Sequence, residues 1–132
     1  MSAESAVYAL LSAAAPVTAL VGDRIYPGML PEGLAVPALV IEQVSAVRLG
    51  RLDAGAATHP TRSRITVNLL AATYPALKAL RPVVMAALQF QRGAIGGSSV
   101  ISILPEAEGP DSHDQAMNLY HQPLDFMVIH EA

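Results

Sequence analysis

RSRITVNLLAATYPALKALRPVVMAALQFQR, residues 62–92, passes from one hydrophobic period to another without a break. In its first part Ile65, Val67 and Leu69 alternate with Arg64, Thr66 and Asn68. A two-residue period sends successive side chains to opposite faces of a sheet, which predicts a half-buried strand. After Ala71, Leu77, Leu80, Val84 and Leu88 recur at three- and four-residue intervals and fall on one face of a helix. Thr73 is placed to cap that helix, and Pro75 fits its first turn. Pro82 does not fit: inside a helix proline removes a hydrogen bond and costs about 3 kcal/mol. A kink near 78–82, or two abutting helices, is expected there. A strand that runs straight into a helix must share a core with it.

Working outward, Ala38 to Val47 is rich in β-branched residues and reads as a second strand, with Leu39 and Ile41 on one side and Val40, Glu42 and Val44 on the other. Between the two strands lies Arg48 to Thr61, with Gly50, Gly55 and Pro60, too long and irregular for a tight hairpin. Loops of that length tend to be functional or mobile. Upstream, Ser2 and Glu4 suit the start of a helix carrying Val7, Leu10, Leu11 and Ala14 as its apolar stripe. Pro16 restarts the helix for one more turn, which Gly22 caps. Ile25 and Tyr26 can pair briefly before the loop of Pro27 and Pro31. Downstream, GAIGGSS makes a sharp turn, Val100 to Leu104 a short strand closed by Pro105, and Glu106 to Asn118 a second long loop. Tyr120 to His130 alternates again, and Pro123 suggests a sheet edge or a strand start. The expected fold is α+β, one domain over residues 1–132, with an antiparallel sheet of three to five strands packed on two main helices.

Composition narrows the function classes. Apolar residues make up 52% of the chain and charged residues 14%, which leaves room for apolar surface covered by partners, although alanine supplies much of the apolar count. A net charge of −3 disfavours nucleic acid as the main partner, because phosphate binding needs clustered Lys and Arg. The absence of cysteine excludes disulfide frameworks and thiolate metal sites, and suits a reducing cytoplasm. The N-terminal apolar run is too short to span a bilayer and lacks a basic leader, so neither membrane anchor nor export is expected.

No catalytic constellation emerges. Asp111, Ser112, His113 and Asp114 hold a hydroxyl, an imidazole and carboxylates, but triads are assembled from separate elements and these are ordinary turn residues. His121 and His130, nine apart in one strand, lie on opposite faces and cannot hold one ion; His59 has no partner at zinc spacing. Glu106 and Glu108 lack the rest of a calcium loop, and Gly93, Gly96 and Gly97 lack the Lys-Ser/Thr of a phosphate loop. No cofactor or metal is expected. Arg48, Arg51, Arg62 and Arg64 flank the long loop and put positive charge at one end of the sheet, either as a solvated basic rim or to pair with a neighbouring subunit.

Four stretches taken together carry a resemblance: YALLSAAAPVTALVGDRIYPGMLPEG, VPALVIEQVS, RSRITVNLLAATYPALKALRPVVMAAL and NLYHQPLDFMVIH. In this order the chain resembles the small phage and prophage tail-completion proteins, also described as tail-to-head joining or tail-terminator-like. VTALVGDRIYPG and ATYPALKAL are its most specific pieces. The resemblance implies an α+β fold with two main helices and a structural, non-enzymatic role in the virion of a long-tailed phage. The protein would form a ring, commonly six-fold, that caps the tail tube and joins tail to head after assembly in the bacterial cytoplasm. Its partners would be its own copies, the major tail tube protein and the head–tail connector, with DNA passing through unrecognised and no membrane involved. Arg48, Arg51, Asp53, Arg62 and Arg64 are then the expected subunit or tube contacts. Pro82 and the alanine-rich 48–61 segment depart from the family pattern. The competing classes are a small-molecule-binding or enzymatic α+β domain of unknown substrate, and a nucleic-acid adaptor.

Overall fold

The computed structural model describes residues 3–28, 35–49 and 60–131. In chain order these form α1 (Ala3–Ala13), α2 (Ala15–Val21), β1 (Ile25–Pro27), β2 (Ala38–Arg48), β3 (Pro60–Ala71), α3 (Tyr74–Leu88), β4 (Gly93–Ile95), β5 (Ser98–Glu108), β6 (Ser112–Asp114) and β7 (Leu119–Glu131). One sheet runs β1-β2-β3-β7-β5-β4, and β6 also pairs with β7. The alternation of 64–71 is satisfied on both sides: β3 pairs antiparallel with β2 and, along its whole length from Pro60 to Ala71, with β7.

All three helices cover one face of this sheet. Leu39, Ile41, Ile65, Val67, Leu69, Leu124, Phe126 and Val128 point into the core, where they meet Val7 and Leu11 of α1, Val17 and Val21 of α2, and Leu77, Leu80, Val84 and Leu88 of α3. These α3 positions are the stripe legible in the sequence. Thr73 caps α3, its Oγ1 accepting from the Ala76 N–H at 3.3 Å. Pro16 restarts the chain as α2, at 84° to α1, and Gly22 ends it at φ +62°. No single described helix is long and apolar enough to cross a membrane.

Several expectations need correction. The sheet has seven strands rather than three to five, because β1, β4 and β6 have three residues each, too few to show a period. It is mixed, since β1 lies parallel to β2. Pro82 lies within one uninterrupted α3 rather than between two abutting helices. Its ring is exposed, away from the buried stripe.

Pro105 does not close β5, which continues to Glu108. Ile103 turns its carbonyl outward to accept from the Phe90 N–H at 2.7 Å. Two residues on, the missing N–H of Pro105 therefore also faces outward and costs no bond to β7. The long loop expected at 106–118 is instead the end of β5, a short link, and the hairpin of β6 with β7. Pro123 marks neither an edge nor a strand start, because β7 is central and begins at Leu119. Its carbonyl accepts from the Gly109 N–H at 2.8 Å, so its nitrogen faces the link between β5 and β6 and spares the β3 ladder. Ser2, most of the 48–61 loop, His59 and Pro31 lie outside the described residues.

Gly96 and Gly97, at φ +58° and +80°, form the two-residue turn of the β4–β5 hairpin, as type I′ geometry requires. A Cβ at Gly96 would lie 2.7 Å from the Ser5 carbonyl oxygen in α1. Gly96→Ala should therefore lower stability by about 2–3 kcal/mol, combining left-handed strain with a clash against backbone. Gly28→Ala, at φ +83° with nothing within 4 Å, should cost only about 1 kcal/mol. Urea unfolding of the two variants checks the difference.

Candidate interaction surface

The face of the sheet away from the helices is a polar ladder built by the even residues of β3. Arg64 pairs with Glu106 at 2.5 Å, Thr66 donates to Asp125 at 2.7 Å, and Asn68 Oδ1 lies 3.0 Å from His121 Nε2. Each tie reaches toward β7 or β5, so the three central strands are stitched together on the uncovered face. Beside them Val40, Leu70 and Leu119 make a small apolar cluster with Tyr26 and Val36.

Glu106 and Glu108, two apart in one strand, ought to share a side. The register shift between Pro105 and Ala107 separates them. Glu106 reaches Arg64 on the open face, whereas Glu108 pairs with Arg81 of α3. Asp111 holds α3 from the same side, accepting from Lys78 at 2.5 Å and from the Tyr74 hydroxyl at 2.9 Å. The Lys78 ammonium lies over the Tyr74 ring, which packs edge-on against Tyr120. These partners hold the Glu108 and Asp111 carboxyls below their ordinary range and raise Lys78 and Arg81. The carboxylates thus tether a helix.

The Ser112-His113-Asp114 run forms no triad. Asp114 accepts from the backbone of Ala116 and Met117, while His113 meets Asn118 and the Tyr120 ring. His121 lies on the open face and His130 on the helix face, as their spacing implied. Among the described residues, no three His, Asp or Glu side chains converge as metal ligands.

What stands out is the outer half of β2. Every residue from Glu42 to Arg48 is exposed, whichever way it points. Val44, at the register shift between Gln43 and Ser45, is 57% exposed and Val47 is 47% exposed. Beyond Ile41, whose carbonyl accepts from the Gly28 N–H, no described strand pairs with the outer edge of β2. A strand in a stable sheet normally buries at least one face; this segment leaves both faces and one edge bare. Arg48 and Arg62 sit near its tip with no ion-pair partner among the described residues. Of the five expected contact residues, the structure places these two at the same end of the β2–β3 pair but on opposite faces, Arg62 across from Val47 and Arg48 across from Thr61, and commits Arg64 to Glu106. Arg51 and Asp53 lie outside the described residues. The valines were missed as contacts, although two branched apolar side chains either side of Ser45 and Ala46 in one strand were a legible sign that neither face need be solvated.

A model of the family described as tail completion protein gp17 matches residues 5–131. The chain belongs to that family. Tail completion proteins are structural components of phage tails and not enzymes, which sets aside the enzymatic alternative. No curated protein sequence matches the chain significantly. Among solved structures, a chain from the virion of a native gene transfer agent particle superposes with a TM-score of 0.74 over 98% of this chain and 95% of that one. At 19% identity the likeness is one of fold.

Burial of His130 gives the protein a pH dependence. Its Nε2 lies 3.2 Å from the buried Ser63 hydroxyl, while Nδ1 is buried without a hydrogen-bond partner among the described residues. Desolvation lowers its pKa from the ordinary 6.5, so the neutral ring is the folded form. The unfolded chain therefore takes up the proton first. His130's contribution is full above 6.5 and fades as pH falls through that value toward the lower folded pKa. His130→Gln should flatten the loss of thermal stability between about pH 7 and pH 5.5. It should leave the further loss in more acid solution, where Glu108 and Asp111 are protonated, unchanged.

Proposed function

We propose that this tail protein acts as a closed ring, of six copies, that seats on the end of the tail tube, stops its growth and presents the surface to which the head's connector docks. The observation that carries this reading, beside the family, is the outer half of β2. A bare strand with exposed valines and two uncommitted arginines is suited to contacts between subunits or with the tube. The ring would assemble in the host cytoplasm and remain at the head–tail junction. Its partners would be the major tail tube protein on one side and the head–tail connector on the other. DNA would pass through without specific recognition, in keeping with a net charge of −3.

Two measurements test it. Light scattering on the purified chain, alone and with tube protein, should give a closed assembly with the mass of six subunits. Added at far less than one copy per tube subunit, the chain should halt tube polymerisation, as expected of a cap that acts only at ends. A chain that remains monomeric in both conditions and leaves tube length unchanged would overturn the reading.

A further inference from the structure

The flank of α1 offers a surface complementary to the β2 arm. Glu4, Ser5, Tyr8 and Ala9 of α1 line, with Pro27 and Gly96, an open groove of about 480 Å³. A second hollow of about 220 Å³ continues it past Tyr8 to Ser12, Gly22 and Asp23. Tyr8, 42% exposed, stands between the two as a half-apolar wall. The Glu4 and Asp23 side chains have no hydrogen-bond or ion-pair partner among the described residues. Arg24, next to Asp23 in the chain, has its guanidinium turned to the carbonyls of Pro37 and Leu20.

Most other acids in the described structure are committed: Glu106 to Arg64, Glu108 to Arg81, Asp111 to Lys78, Asp125 to Thr66 and Asp114 to its own turn. The uncommitted cations at the arm tip, Arg48 and Arg62, therefore have uncommitted counterparts of opposite sign in Glu4 of α1 and Asp23 in the link from α2 to β1. The arm also has the right form for a groove. Seven residues of strand extend about 23 Å, and Val44 and Val47 give it apolar contacts to set against Tyr8, Ala9 and Pro27.

From this complementarity we infer that the Glu42–Arg48 arm of one copy docks along the α1 flank of the next, with Arg48 and Arg62 meeting Glu4 and Asp23. The inference rests on the ring reading and supplies its contact. The occupant of the groove is a second copy of this chain.

Charge reversal tests it. In R48E/R62E both surfaces are acidic, and in E4K/D23K both are basic. Each variant alone should self-associate at least about tenfold more weakly than the unmodified chain, in a salt-sensitive manner. An equimolar mixture should recover affinity to within about threefold, because arm and groove are again opposite in sign at every contact between unlike copies. Circular dichroism and thermal unfolding verify that both variants are folded, since Glu4 also lies in the first turn of α1. Self-association of either folded variant at the unmodified affinity overturns the inference, as does a mixture that fails to recover. Loss of tube capping by R48E/R62E with self-association intact assigns the arm to the tube protein and overturns it too. An unmodified chain that is monomeric at its highest soluble concentration also overturns it, while tube capping still reads the ring separately.

Discussion

The central strands are twice as long as the helix that packs on them. With a rise of about 3.3 Å per residue in a strand and 1.5 Å in a helix, β7 extends about 43 Å and α3 about 22 Å. Three short helices can therefore cover only part of one face, and the rest of the structure follows from how the uncovered part is managed. Across the open face the answer is polar: Arg64, Thr66 and Asn68 find partners in Glu106, Asp125 and His121. At the outer half of β2 the described residues offer no such answer, and Glu42 to Arg48 are left exposed.

The same disproportion explains which parts of the fold could be read from the sequence. Long elements with a clean period were legible. Ile65, Val67 and Leu69 point inward as their alternation requires, and Leu77, Leu80, Val84 and Leu88 face the core. Local chemistry was legible too, in the Thr73 cap and the glycine turn at 96–97. Of the three-residue strands only β1 was, as the brief pairing of Ile25 and Tyr26; β4 and β6 were not, since pairing with a neighbour creates them and no pattern of their own announces them. The two strand prolines misled for a related reason: proline rules apply to the side on which its nitrogen points, and that side depends on where β5 and β6 meet β7.

For the surface, residue type was a partial guide. The arginine-rich flank of the long loop drew attention to Arg48 and Arg62, but nothing in the sequence showed that Glu106 would claim Arg64. That pairing depends on a register shift at Pro105–Ala107, which turns Glu106 and Glu108 to opposite faces. The absence of a legible active site accords with a family of structural tail proteins, whose specificity lies in surfaces spread over several elements.

The two margins of the sheet are unequal. Along β5 the outward groups include a proline without a donor and a carbonyl already taken by Phe90, between two register shifts, and among the described residues the three-residue β4 is the one strand beyond. Along β2 the margin past Ile41 carries neither proline nor lysine. Among the described residues one margin is open and the other is largely taken, which works against strand-upon-strand stacking into a fibril. That inequality disfavours open-ended sheet extension and leaves the β2 margin free for contacts of another kind.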